Sequence, residues 1–305
     1  MTDPGLGRGF GICLVRAALA PPPLLPPPDL PEELEALALP AAVPLRGIRA
    51  VIFDIYGTLF ISTAGDIGSA ADSPAEAGRS SESLETLAGK YGCSAADLRR
   101  YFREAVLERH EARRGETAYP ELRVEDLWAQ FLFRRSGRTN GARELALRYE
   151  LAVNPAYPMP AAAETLALLR NRGMTLGLIS NAQFFTPLLF EAFFSASPEA
   201  LGFEPGLLTY SFELGEAKPS PALFAPAKKR LETLGLKPEN ALYVGNDMLN
   251  DISAAARAGF KTALFAGDRR SLRLREGDPR IRGIMPDRVV RGLGDVPGLI
   301  ADGDS

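Results

Sequence analysis

Residues 51–60 read VIFDIYGTLF. The apolar, β-branched run Val51-Ile52-Phe53 has the character of a strand buried on both faces. It ends on the carboxylate of Asp54 and turns through Tyr56-Gly57-Thr58. Packing alone gives no reason to finish a buried strand on a charge. The same pattern recurs outward along the chain. GIRAVIFD (47–54), MTLGLISN (174–181) and ALYVGND (241–247) read as core strands, KTALFAG (261–267) and RVV (288–290) as shorter ones, and LLTYS (207–211) as a further candidate. Between them lie helical segments: AAAETLALLRNRG (161–173) closing on Gly173, PALFAPAKKRLETLG (221–235) with Pro in its first turn and Gly235 at its end, and NDISAAARAG (250–259). Strands alternating with helices at this spacing predict an α/β fold, a doubly wound parallel sheet with helices on both faces. Ligands of such sheets bind at the carboxyl ends of the strands.

Residues 61–158 break the alternation. Ser94 reads as an N-cap for a helix carrying Leu98, Phe102 and Val106 at helical spacing, and VEDLWAQFLFRR (124–135) and ARELALRYELAV (142–153) continue the helical pattern. Trp128, Phe131 and Phe133 read as the core of this unit, and ERHEARR (108–114), with His110, as a solvated helix face. The division expected is a Pro-rich flexible extension over 1–47, including PPPLLPPP (21–28); a core of 48–60 and 159–300; and an all-helical insertion over 61–158.

Composition removes several classes of function. The chain has 305 residues, 46% hydrophobic and 24% charged, which is ordinary for a globular protein. A formal net charge of -3 argues against a nucleic-acid partner. No apolar run is long enough to span a bilayer, and FGICLV (10–15), interrupted by Arg16, is too short for a signal peptide. Cys13 and Cys93 form neither a metal-ligand spacing nor a disulfide framework, and a single histidine excludes a His-rich metal site. A reducing, cytoplasmic setting and a small-molecule substrate are expected; the sequence is silent on oligomeric state.

Asp54 follows VIF, Ser180-Asn181 follow LGLI, and Asn246-Asp247 follow YVG, so a parallel sheet brings all three strand ends to one crevice. Lys218, in GEAKPSPALF, supplies a cation just before a helix. A lone aspartate after a strand is as often a cap or turn residue. Together these residues make an anionic cluster with one lysine, suited to a divalent cation and a phosphate or to a carboxylate nucleophile.

With these residues in place, 48–300 resembles the haloacid dehalogenase-like (HAD) hydrolase superfamily, with the insertion resembling its helical cap. FDIYGTLF (53–60) resembles the first motif, LISN (178–181) the second, AKPSPALF (217–224) the third and VGNDMLNDISAAARAGF (244–260) the fourth; PDRVVRGLGDVPGLI (286–300) resembles the closing strand and helix. The resemblance implies a Mg²⁺-dependent phosphatase of a small phosphate monoester, with Asp54 as nucleophile and an aspartyl-phosphate intermediate. Ser180 or Asn181 then contacts substrate oxygens, Thr58 or Ser180 donates to a phosphate oxygen, and Lys218 holds nucleophile and phosphate together. Mg²⁺ is expected on Asp54, the Tyr56 backbone carbonyl and Asp247. Asp251 stands behind them, holding Lys218 or a metal-bound water, and Asn246 is the alternative ligand.

Two departures stand against that pattern. Tyr56 occupies a place where many family phosphatases carry an aspartate as general acid and base. The DxYGT form resembles the 2-haloacid dehalogenase branch, where aspartate attacks carbon without a metal; that reading needs an arginine in the flap or early cap, and Arg79 is the nearest. Asn246 stands directly after Gly245, where the family usually has an aspartate. In the flap ISTAGDIG (61–68), Asp66 is a candidate for the missing acid. A HAD-fold binding or regulatory protein is the reading from a different class, and the joint presence of Asp54, Lys218 and Asp247 counts against it.

Overall fold

The computed structural model describes residues 6–17, 25–26, 29–38, 43–62 and 82–301. Its strands are β1 (Ala50–Phe53), β2 (Phe60–Ser62), β3 (Ala156–Pro158), β4 (Thr175–Ser180), β5 (Phe203–Tyr210), β6 (Ala241–Gly245), β7 (Lys261–Phe265) and β8 (Arg288–Val290). Six of them form one parallel sheet in the order β5-β4-β1-β6-β7-β8. β1 is wholly buried, and its side chains alternate between two cores. Val51 and Phe53 join the cluster that holds Leu166 and Leu169, whereas Ala50 and Ile52 join the one that holds Phe224 and Leu231. Helices therefore cover both faces, the reason the strand reads as an unbroken apolar run. The chain leaves β1 for β4 on one side and later crosses to β6 on the other. The carboxyl ends of β4, β1 and β6 thus frame the crevice where strand order reverses.

β2 and β3 pair antiparallel as a ribbon at the base of the helical segment. Its helices are Leu84–Gly89, Ala95–Ala112, Val124–Ser136 and Ala142–Val153. Ser94 and Asp97 close a reciprocal capping box on the second. Trp128 is fully buried, stacked on Phe102 and edge-on to Phe131, while Phe133 is 59% exposed and takes no part in that core. The helical unit is also clipped to the strip just before Lys218. Glu121 N–H donates to the Gly215 carbonyl at 3.0 Å and Ala217 N–H to that of Tyr119 at 2.8 Å. Arg113 Nη1 donates to the Glu121 and Gly215 carbonyls at 2.9 and 2.7 Å, so this one side chain of the otherwise largely exposed ERHEARR face, itself 35% exposed, reaches back to the core.

The described parts of 1–47 are packed rather than loose. Helix Arg8–Arg16 lies on helix Thr186–Phe194 with Val15 fully buried, and Leu30, Leu34 and Ala38 join a cluster with Met248, Ile252 and Val289. Leu45 N–H donates to the Leu299 carbonyl at 2.6 Å, and Ala301 N–H to that of Leu45 at 2.9 Å. The helix expected to close the chain is instead a 3₁₀ stretch, Leu293–Leu299, because Gly294 and Pro297 oppose a longer α-helix. Among the described residues no helix is long and apolar enough to cross a membrane.

Candidate active site

The ladder between β1 and β6 runs one step past β1, with Asp54 N–H donating to the Val244 carbonyl at 2.9 Å. That bond fixes Asp54, 5% exposed, at the floor of the crevice. Lys218 Nζ sits 2.6 Å from Asp54 Oδ1 and 2.6 Å from Asp251 Oδ1, with the Tyr243 hydroxyl at 3.2 Å. Tyr243 in turn lies 2.8 Å from the Ile179 carbonyl and 3.1 Å from Asp251 Oδ1. Burial works against the Lys218 ammonium, but the Asp251 and Asp54 charges and hydrogen bonds outweigh it and hold its pKa above the ordinary value. Burial pushes the Asp251 carboxyl up to about 7, against the pull of Lys218 and with the repulsion of Asp54 and Asp247. Gly245 makes the close approach possible: a Cβ there would lie 2.4 Å from Asp251 Cγ.

Asp247 caps the helix that opens the fourth motif. Its Oδ1 accepts from Leu249 N–H at 2.8 Å and Asn250 N–H at 3.1 Å, and its own N–H donates to Asp251 Oδ2 at 2.9 Å. The helix starts at Met248 with a π-type turn and becomes α-helical at Ala254, an irregularity frequent at functional sites. Arg275 meets the Asp247 carboxylate from the opposite side at 2.6 Å. Asn246 points elsewhere. Its Oδ1 accepts from the Thr58 hydroxyl at 3.0 Å and its Nδ2 donates to the Ser271 carbonyl at 2.6 Å. Two expectations change accordingly. Thr58 is fully buried with its proton directed at Asn246, not at the crevice, and the Asn246 oxygen expected as an alternative metal ligand is occupied by Thr58. Together they hold the turn after Asp54, where Gly57 at φ +86° leaves no room for a Cβ beside Asn246.

On the β4 side, Ser180 is fully buried and donates to the Asn181 carbonyl at 3.1 Å, so it braces the strand end. Asn181 Oδ1 accepts from the Lys218 N–H at 2.7 Å. Asn181 and Ala217 also line a cavity of about 150 Å³ under the helical unit, together with Phe102, His110, Leu122 and Gln183. Burial, with Arg113 nearby, depresses the His110 pKa. Tyr56 packs under the crevice at 3% exposure, its hydroxyl 2.9 Å from Thr186 Oγ1, and burial raises its pKa far above the ordinary phenol value. A phenol so held stays protonated and bonded, and is no general base. Asp66 and Arg79 lie outside the described residues.

A hard divalent cation finds suitable donors here. Among the described residues Asp54 Oδ2 takes no hydrogen bond, since Lys218 uses Oδ1. Asp247 is the second carboxylate, but its Oδ1 is held by the Leu249 and Asn250 amides and its Oδ2 by Arg275, so it serves a cation only where Arg275 gives way. Mg²⁺ held by one or two carboxylates and completed by waters requires no more than this. Asp251 is the exception in the acid set, with Oδ1 on Lys218 and Tyr243 and Oδ2 on Asp247 N–H, which places it behind the donors. Three residues in this arrangement carried little signal in the sequence: Tyr243, a phenol inside a strand that reads as packing; Arg275; and Gln183, whose amide joins the Leu122 carbonyl at 2.8 Å to Val124 N–H at 3.1 Å.

Comparison with known proteins matches residues 48–259 to one family, haloacid dehalogenase-like hydrolase. A phosphoglycolate phosphatase of Photorhabdus laumondii is 30% identical over 225 residues, 70% of this chain and 79% of that protein. A phosphoglycolate phosphatase of Aquifex aeolicus is 36% identical over 113 residues, 35% of this chain; the match spans about half of that relative's length, 46%. The crystal structure of a 2-haloacid dehalogenase from Pseudomonas syringae superposes with a TM-score of 0.52 at 21% identity, covering 83% of this chain and 97% of that one. At that identity the likeness concerns the fold.

Proposed function

We propose that this chain, which belongs to the haloacid dehalogenase-like hydrolases, is a Mg²⁺-dependent phosphatase of a small phosphate monoester. One observation carries the reading: a buried lysine bonded at 2.6 Å to both Asp54 and Asp251. Lys218 holds Asp54 in place and sets a counter-charge beside it, as a carboxylate nucleophile requires. Asp54 attacks phosphorus, the ester oxygen leaves, and water then hydrolyses the aspartyl-phosphate to release phosphate and restore Asp54. Charge spread over the phosphoryl oxygens is met by the Lys218 ammonium and by the Asn181 side-chain amide at the mouth of the crevice. Mg²⁺, when bound by Asp54 and Asp247 with the Tyr56 carbonyl, supplies neutralisation of the phosphoryl charge. Tyr56 transfers no proton, so the leaving oxygen is protonated from water, at a cost of roughly 10²–10⁴ in rate relative to a site with a positioned acid. The cavity of about 150 Å³ beside Asn181 suits an ester with a short carbon chain, and the phosphoglycolate phosphatases among the relatives make phosphoglycolate the first ester to try.

A metal-independent hydrolase attacking carbon is the second reading, favoured by Arg275 neutralising Asp247. Phosphate and halide release from a panel of phosphate esters and 2-haloacids, with Mg²⁺ and with EDTA, separates the two. Phosphate release that needs Mg²⁺ and disappears in Asp54→Asn supports the phosphatase; EDTA-insensitive halide release supports the alternative.

A further inference from the structure

The loop after β7 reaches back across the end of β6. Arg273 N–H donates to the Asn246 carbonyl at 2.9 Å and its carbonyl accepts from Met248 N–H at 2.9 Å, so the loop runs parallel to the Asn246–Met248 backbone. The Asn246 amide adds a third tie at the Ser271 carbonyl. This strip delivers Arg275 to Asp247. The guanidinium meets the carboxylate two-pronged, Nη2 at 2.6 Å from Oδ2 and Nε at 3.1 and 3.2 Å from Oδ2 and Oδ1. The backbone of Arg275 is left-handed, φ +56°, a conformation side-chain-bearing residues rarely adopt. The two partners differ in their surroundings: the Asp247 side chain is 9% exposed and fixed by the helix it caps, whereas that of Arg275 is 39% exposed at the solvent edge.

Charge explains why a cation belongs there. Lys218 bonds Asp54 and Asp251 but makes no ion pair with Asp247 among the described residues. Without a second cation, Asp247 would stand buried against the charge of Asp251 and Asp54. We infer that Arg275 is a tethered cation that neutralises Asp247 in the metal-free protein and yields that carboxylate when a divalent cation binds. The inference rests on the metal-dependent half of the proposed function. Its consequence is that metal affinity is set by an exchange: one fixed ion pair must open for each Mg²⁺ taken up.

The test is Mg²⁺ binding by titration calorimetry on the full chain, as wild type and as Arg275→Gln, Arg275→Lys and Asp247→Asn, with circular dichroism confirming that each folds. Removing the competing cation is expected to tighten Mg²⁺ binding about tenfold in Arg275→Gln, the worth of one charge-assisted, two-pronged contact. Arg275→Lys falls between it and wild type, because an ammonium keeps the charge and loses the fork. Asp247→Asn abolishes the exchange. If Arg275→Gln fails to fold, Arg275→Lys carries the test in the same direction. Equal or weaker Mg²⁺ binding in the arginine variants, with wild type still binding, overturns the exchange and leaves the phosphatase reading standing. Absence of Mg²⁺ binding in wild type and Arg275→Gln alike overturns both the exchange and the metal-dependent reading.

Discussion

At the scale of single residues, the site is a solution to the problem of holding three carboxylates in one buried crevice. Lys218 answers for two of them, at 2.6 Å from each. Replacing it with methionine leaves Asp54 and Asp251 buried without a counter-charge. Lys218→Met is therefore expected to lose phosphatase activity and about 3–5 kcal/mol of stability, read from urea unfolding alongside turnover. Tyr56 gives the opposite prediction. Its hydroxyl serves Thr186, not the reacting atoms, so Tyr56→Phe should lower stability by about 1 kcal/mol and leave kcat within a factor of two or so. A large fall in kcat would assign the phenol a role in the chemistry. Gly245→Ala tests the packing of the site, since the new methyl would meet Asp251 Cγ at 2.4 Å. A loss of about 1–3 kcal/mol with activity abolished is expected, because Asp251 must move away from Lys218.

At the scale of elements, the readable features were those whose cause is local. β1, β4 and β6 follow from short apolar runs buried on both faces, and the helix over 95–112 from Ser94 and the periodic apolar face behind it. Ser94→Ala removes the cap and should cost about 1 kcal/mol, seen in thermal or urea unfolding of the full chain. What escaped the sequence was decided by contacts between distant segments. The loop holding Arg269, Arg270, Arg273 and Arg275 offers four guanidinium groups, and nothing in their order says which one turns toward Asp247, 28 residues away. The turn at Arg275 is set by the backbone pairing of Arg273 with Asn246 and Met248, a tertiary fact. Thr58 and Asn246 were each legible as polar residues at the crevice; that they satisfy one another rather than a ligand depends on the exact approach of two strand ends.

At the scale of the molecule, the described N-terminal residues pack on the core, and the helical unit covers the cavity beside Asn181. The spacer expected over 21–28 lies outside the described residues except at 25–26, whereas on either side of that stretch Val15 is fully buried, the Leu37 carbonyl accepts from Val289 N–H, and Leu45 exchanges backbone hydrogen bonds with Leu299 and Ala301. The apolar partners of these residues lie hundreds of positions away in sequence, which is why periodicity over a short helix did not reveal them. Val15→Ala should destabilise the whole chain by about 1–3 kcal/mol while leaving the chemical step intact, in contrast to the site variants. The helical unit, clipped through Arg113 to the strip before Lys218, roofs the cavity beside Asn181 and so bears on which ester fits. On the proposed reading the attacking atom is a carboxylate oxygen of Asp54. Peptide mapping by mass spectrometry of the enzyme quenched during turnover of phosphoglycolate or another hydrolysed ester tests it most directly. One added phosphoryl group is expected on the peptide that carries Asp54, lost on incubation in water and absent in Asp54→Asn. Turnover with no phosphorylated form of Asp54, or with an adduct at another residue, would contradict it.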